Sequence, residues 1–123
     1  MLSANANGNT YATITDFAKG DTITVTNLAL NGTTNFALGA KVTLADTAAF
    51  ADYLNAAASG DGSTNTVAKW FTFAGNTYVV FDNSAANTFQ NGTTADQVIK
   101  LAGVIDLATA VTQVGGTKAI SII

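Results

Sequence analysis

At 123 residues the chain is long enough for one hydrophobic core and short for two, and a hydrophobic content of 48% belongs to a folded rather than a disordered chain. It contains no Glu, Arg, His, Cys or Pro, which excludes a Ser-His-Asp triad, a His or Cys zinc site, a Glu acid–base pair, a thiolate nucleophile, a guanidinium clamp and any disulfide. The net charge is −3, and the five cations are scattered as Lys19, Lys41, Lys69, Lys100 and Lys118, so no basic stripe exists for a nucleic-acid backbone.

In chain order, residues 1–9 are small and polar without periodicity and read as a flexible lead-in. Thr10 to Thr15 is a strand candidate with Tyr11 and Ile14 as its larger side chains, and Asp16-Phe17-Ala18-Lys19-Gly20-Asp21 breaks it with turn chemistry. Thr22 to Asn27 alternates Ile23 and Val25 against Thr and reads as a second strand. Asn31-Gly32 marks a turn, after which Phe36 to Leu38 and Val42 to Leu44 read as two short strands interrupted at Gly39.

The spacing of Phe50, Tyr53, Leu54, Ala57 and Ala58 predicts one helix over residues 46–59, with Asp46 as its N-cap and Gly60 as its stop. Asp61 to Asn65 is a loop. From Val67 to Asp82, two runs of β-branched and aromatic residues flank Gly75-Asn76, which predicts a hairpin turning at that pair. Alternation places Val67, Lys69, Phe71 and Phe73 on one face and Ala68, Trp70 and Thr72 on the other. Both faces carry large apolar groups, so the hairpin is expected inside a layered structure with neither face open to water.

Beyond a loop at Asp82 to Asn87, Asp96 to Leu101 is a further strand. The tail carries Val104, Ile105 and Leu107, a break at Gly115-Gly116, and Ala119 to Ile123, expected to complete a sheet. No run is apolar and long enough to span a bilayer, no charged-then-apolar leader opens the chain, and no fixed-period repeat emerges. The fold class is therefore mainly β: a single β-rich domain, a sandwich or a β-roll-like stack, with one α-helix near residues 46–59.

Two segments carry a resemblance. Ile14-Thr15-Asp16-Phe17-Ala18-Lys19-Gly20-Asp21-Thr22-Ile23 resembles the I-x-D-F-x-x-G-D-x-I segment that follows the nonapeptide repeats of RTX-type exported bacterial proteins. Lys69 to Ser84, followed by Asp96-Gln97-Val98-Ile99-Lys100-Leu101-Ala102-Gly103, is similar to the C-terminal region of those proteins, most closely of S-layer proteins secreted by type I exporters. The family's helix falls between the two, as the predicted one does here. The resemblance covers residues from about 14 to 107, in the family's order.

It implies that residues 1–123 are the C-terminal module of a larger exported protein, extracellular or on the cell surface. Such a module carries an uncleaved secretion signal, helps the parent assemble with calcium, and has the type I secretion apparatus and other copies of itself as partners. The nonapeptide array itself is missing from this sequence. The alternative is a ligand-binding module, carbohydrate-binding in the first instance, of a secreted enzyme or adhesin.

With Asp and Lys as the remaining catalytic groups, the chain is expected not to be an enzyme. Calcium takes six to eight oxygen ligands, and Asp16, Asp21 and Asp82 are its candidates; each also reads as a turn carboxylate bonding nearby amides. Trp70, Phe71 and Tyr78 offer aromatic faces for sugar rings, against a reading of all three as core. Lys69 and Lys100 read as solvated edge charges.

Overall fold

The computed structural model describes residues 11–24, 37–59, 67–82, 84, 86–90, 96–112 and 119–122. These form β1 (Ala12–Ile14), β2 (Thr22–Thr24), β3 (Ala37–Lys41), α1 (Phe50–Ala58), β4 (Val67–Phe73), β5 (Asn76–Asp82), β6 (Gln97–Leu101), β7 (Val111–Thr112) and β8 (Ala119–Ser121). A five-stranded sheet has the order β1-β6-β5-β4-β3, antiparallel through β6, β5 and β4 and closed by a parallel strand on each side. A second, antiparallel sheet has the order β2-β8-β7. The fold is mainly β with one helix, and of the two expected forms it takes the sandwich.

Strand alternation divides the large sheet into two cores, as expected of a hairpin apolar on both faces. On one face Phe71, Tyr78, Val80 and Val98 pack under α1 through Leu54, Ala57 and Ala58, with Phe50, Tyr53, Tyr11 and Phe73 around them. The other face carries Ala68, Trp70, Val79, Phe81, Ile99 and Leu101 against Ile23 and Ile120 of the small sheet, with Phe17 and Leu107. Phe71 is fully buried and stacks between Tyr53 at 4.9 Å and Tyr78 at 5.3 Å between ring centroids. Its truncation to Ala belongs to the class that costs roughly 3–5 kcal/mol.

Three expectations are corrected in detail. The hairpin turns at Ala74-Gly75, with φ of 48° and 79°, and Asn76 is already paired with Phe73. Moving the turn back by one residue keeps every side chain on its face but shifts each cross-strand partner by two, and the register obtained sets Phe71 opposite Tyr78 and Trp70 opposite Val79. Asn76 is then free to bond outward: its amide nitrogen donates to the Ala74 carbonyl at 3.2 Å, and its Oδ1 accepts from Gly103 N at 3.1 Å.

Gly39 does not interrupt a strand; it lies inside β3, where the register with β4 slips between Leu38 and Lys41. A Cβ on Gly39 would meet the Ala68 carbonyl oxygen at 3.2 Å and Lys69 Cγ at 3.3 Å, so the missing side chain permits the close approach of β3 at this irregularity. Val42 adds one more bond to β4, through the Trp70 carbonyl, but Val42 to Leu44 form no strand.

The helix begins at Phe50 rather than near Asp46. Asp46 lies in a turn closed by the bond from Ala48 N to the Ala45 carbonyl, and the carboxylate that serves the helix start is that of Asp52, which accepts from Ala49 N at 2.8 Å. Val111–Thr112 is a strand the sequence reading does not contain. The expected lead-in at residues 1–9, the Asn31-Gly32 turn, the Gly60 stop, the loop at Asp61 to Asn65, the Gly115-Gly116 break and Val25 to Asn27 all lie outside the described residues.

Candidate functional site

The segment from Ala102 to Ala110 links β6 to β7, and the start of β5 holds it in place. Thr77 is fully buried; its hydroxyl accepts from Ile105 N at 2.8 Å and donates to the Gly103 carbonyl at 3.0 Å. Asn76 accepts from Gly103 N, and Ala102 N reaches the Ile14 carbonyl at 2.9 Å. These bonds satisfy backbone groups that the irregular chain would otherwise leave without partners. Asp106 Oδ1 accepts from Ala108 N at 2.9 Å, an Asx turn that sets the following bend, and the Ala110 amide closes on the Leu107 carbonyl.

Held in this way, the segment stands beside β3 and β4 and forms two adjoining grooves with them. One, of about 300 Å³, lies between Leu38–Lys41 and Leu107–Ala110; the other, of about 430 Å³, runs past Thr72, Val104, Ile105 and Asp106. Lys41, Trp70 and Ala108 line both. Lys41 Nζ sits over the Trp70 ring, 5.4 Å from its centroid, within cation–π range. Val104, 72% exposed, is the one large apolar side chain that stands out into solvent among the described residues, and it is on the wall of the larger groove.

Trp70 therefore parts company with Phe71 and Tyr78. The last two are on the helix side, and Phe50 meets Tyr78 at 4.8 Å with Tyr11 edge-on to it at 5.6 Å. All three residues are at least nine-tenths buried, so no open platform of three aromatic faces exists and core packing is their main role. Burial first, and the adjoining Tyr11 hydroxyl second, raise the Tyr78 phenol well above its ordinary pKa of 10.0.

The candidate calcium ligands are not brought together. Asp16 and Asp21 lie exposed in the β1–β2 connection, near the Leu101 end of β6, because Ile14 is in register with Leu101. Asp21 serves as a turn carboxylate, its Oδ2 accepting from Ala18 N at 2.8 Å. Asp82 is fully buried at the opposite end of the sheet, where β5 runs past Gln97. Among the described residues no three acidic side chains come together.

What Asp82 does adjoin, by continuation of the β5–β6 register, is Asp96, also fully buried and not foreseen as a site residue. Asp96 Oδ2 accepts from Gln90 N at 2.8 Å and from the Ser84 hydroxyl at 3.3 Å, while Ser84 N donates to Asp82 Oδ1 at 3.4 Å. Phe89 N donates to Asn55 Oδ1 on α1, tying the same connection to the helix. The two acids thus organise the return from β5 to β6. Lys69 and Lys100 are half-buried on β4 and β6, both interior strands of the large sheet, and are not edge charges as expected.

Among the described residues no helix is long and apolar enough to cross a membrane. Compared with protein-family models and with curated protein sequences, the chain matches none.

Proposed function

We propose that the chain is a structural module of an exported bacterial surface protein of the S-layer or RTX type, one that carries the signal for a type I exporter and assembles outside the cell. The observation that carries this reading is the use made of the resembling segments. The Asp16 to Asp21 turn leads into β2, which pairs with β8 through Thr22 to Ser121, Ile23 to Ile120 and Thr24 to Ala119. Gly20 N adds a bond to the Ile122 carbonyl at 2.8 Å. The hairpin and the Val98-Ile99-Lys100-Leu101 strand are the three inner strands of the large sheet.

Every segment behind the resemblance is thus a structural element, and the described polar clusters satisfy backbone groups of the fold. Ile120 is fully buried within β8 and Ile122 half-buried beside it, whereas Ile123 lies outside the described residues. Buried in the folded state, β8 is exposed in the unfolded chain that an exporter handles. Calcium, which the resemblance implies, is assigned no ligands within the described residues.

The test is to fuse residues 1–123 to an unrelated passenger in a host with a type I exporter. Recovery of passenger in the medium, dependent on the exporter and lost when residues 111–123 are removed, is the expected result. Passenger retained in the cell with the exporter active overturns the secretion role.

A further inference from the structure

We infer that Tyr11 and Tyr78 form a site of oxidative cross-linking, at which a haem peroxidase acting with hydrogen peroxide joins the two rings by a carbon–carbon bond. Their ring centroids are 5.6 Å apart with the planes at 89°, and their hydroxyls share a hydrogen bond. Burial first and that bond second raise the Tyr78 phenol, so the bond favours the protonated form and Tyr78 is its donor. Tyr78 is 4% exposed, whereas Tyr11 is half-buried just ahead of the edge strand β1. An oxidant therefore meets Tyr11 before Tyr78.

The direction of the hydrogen bond carries the oxidation inward. Loss of an electron and a proton from Tyr11 leaves a phenoxyl radical, to which the Tyr78 O–H gives its hydrogen atom. Tyr11 is then a phenol again and is oxidised a second time at the same, more open position, which leaves one radical on each ring. Radical density sits on the ring carbons beside each oxygen, and the meeting of the two oxygens holds those carbons near one another. Their coupling forms the C–C bond, and the hydrogen on each coupled carbon passes to its phenol oxygen to restore both hydroxyls. Over the two oxidations one hydrogen peroxide takes up two electrons and two protons and becomes two waters, and the tyrosine pair loses two hydrogen atoms. Tyr53 is the internal comparison: it is half-buried like Tyr11, but Phe71 stacks between it and Tyr78 and so separates the two phenols. The link ties the start of β1 to β5 across β6. This inference is independent of the secretion reading.

Cleavage after lysine places Tyr11, Tyr53 and Tyr78 on separate peptides, 1–19, 42–69 and 70–100. The full chain, mixed from isotope-labelled and unlabelled batches, is treated with a haem peroxidase and hydrogen peroxide, digested with trypsin and read by mass spectrometry and dityrosine fluorescence. Peptide 1–19 joined to 70–100 of the same chain, lighter than their sum by two hydrogen atoms, is expected as the main product. Tyr53→Phe should leave its yield unchanged, while Tyr11→Phe and Tyr78→Phe, each keeping the ring, should abolish it. The joined chain should unfold at a higher urea midpoint than the untreated chain, because the link restricts the unfolded ensemble. Joined peptides that chiefly contain 42–69, links chiefly between labelled and unlabelled chains, or no link between 1–19 and 70–100 in the folded parent overturns the proposal.

Discussion

Ala74 is the one non-glycine residue with a positive φ, 48°, among the described residues, and it occupies the first position of the Ala74-Gly75 turn. Both turn residues have positive φ, the geometry in which Asn-Gly is the preferred pair. A left-handed conformation costs an ordinary L-residue about 1–2 kcal/mol, and Asn tolerates it better because its short polar side chain bonds locally. The Ala74 side chain is exposed, and the bond from Asn76 Nδ2 uses only the Ala74 carbonyl, so substitution leaves the contacts of the turn in place. Ala74→Asn should therefore stabilise the fold by about 0.5–1 kcal/mol, raising the melting temperature by roughly 2–4 °C in a chain of this size. Ala74→Gly relieves the same strain but enlarges the unfolded ensemble by about 0.5–1 kcal/mol, so its net effect should be close to zero. Ala74→Val, β-branched at a positive φ, should lose about 1 kcal/mol or more. Urea titrations followed by Trp70 emission, with thermal melts by circular dichroism, measure all three. An Asn variant no more stable than the parent at unchanged m-value, or a Val variant as stable as the parent, would refute the argument from backbone strain.

Two further outcomes follow from the polar groups. Asp52→Ala should cost about 0.5–1 kcal/mol by releasing the Ala49 amide at the start of α1, whereas Asp46→Ala, in the exposed preceding turn, should stay within about 0.5 kcal/mol of the parent; equal losses in urea would return the N-cap to Asp46. The Tyr78 phenol is raised in the folded state, so above pH 10 the unfolded chain releases that proton first and stability falls as pH rises, by at most about 1.4 kcal/mol per unit from this group. Spectrophotometric titration should show one of the three tyrosines ionising only with unfolding, and Tyr78→Phe should flatten the alkaline loss; an unchanged alkaline slope in that variant contradicts the assignment.

The parts of the fold that depend on side-chain period were legible in the sequence. Alternation alone separated Trp70 from Phe71 and put apolar groups on both sides of the hairpin, and the helical spacing from Phe50 to Ala58 identified the face that packs. What failed depends on partners distant in sequence. A positive-φ preference at Gly75-Asn76 does not fix register, because cross-strand pairs such as Phe71 with Tyr78 decide it. Gly39 reads as a break until a parallel neighbour is seen to need the space of its absent Cβ. Two residues, Val111 and Thr112, carry too little periodicity to announce β7. The acids divided for the same reason. Asp21 bonds an amide three residues away and so was legible as a turn carboxylate, while the role of Asp96 rests on Ser84 and Gln90 being folded back across it.

The small sheet adds a constraint that no local pattern contains. Thr22 and Ser121 lie 99 positions apart, yet their hydroxyls meet at 2.7 Å, and β8 is the inner strand between β2 and β7. Without β8, β2 and β7 have no partner within their sheet, and Ile23, only 5% exposed in the folded state, loses the cover of Ile120. Such non-local pairing is slow to form, since the closure entropy precedes the contacts that offset it. The second core is therefore completed only when residues 119–122 and the β1–β2 segment are on the same side of any barrier the chain crosses. For a chain exported unfolded, as the proposed function has it, this topology confines completion of the sandwich to the far side of the barrier.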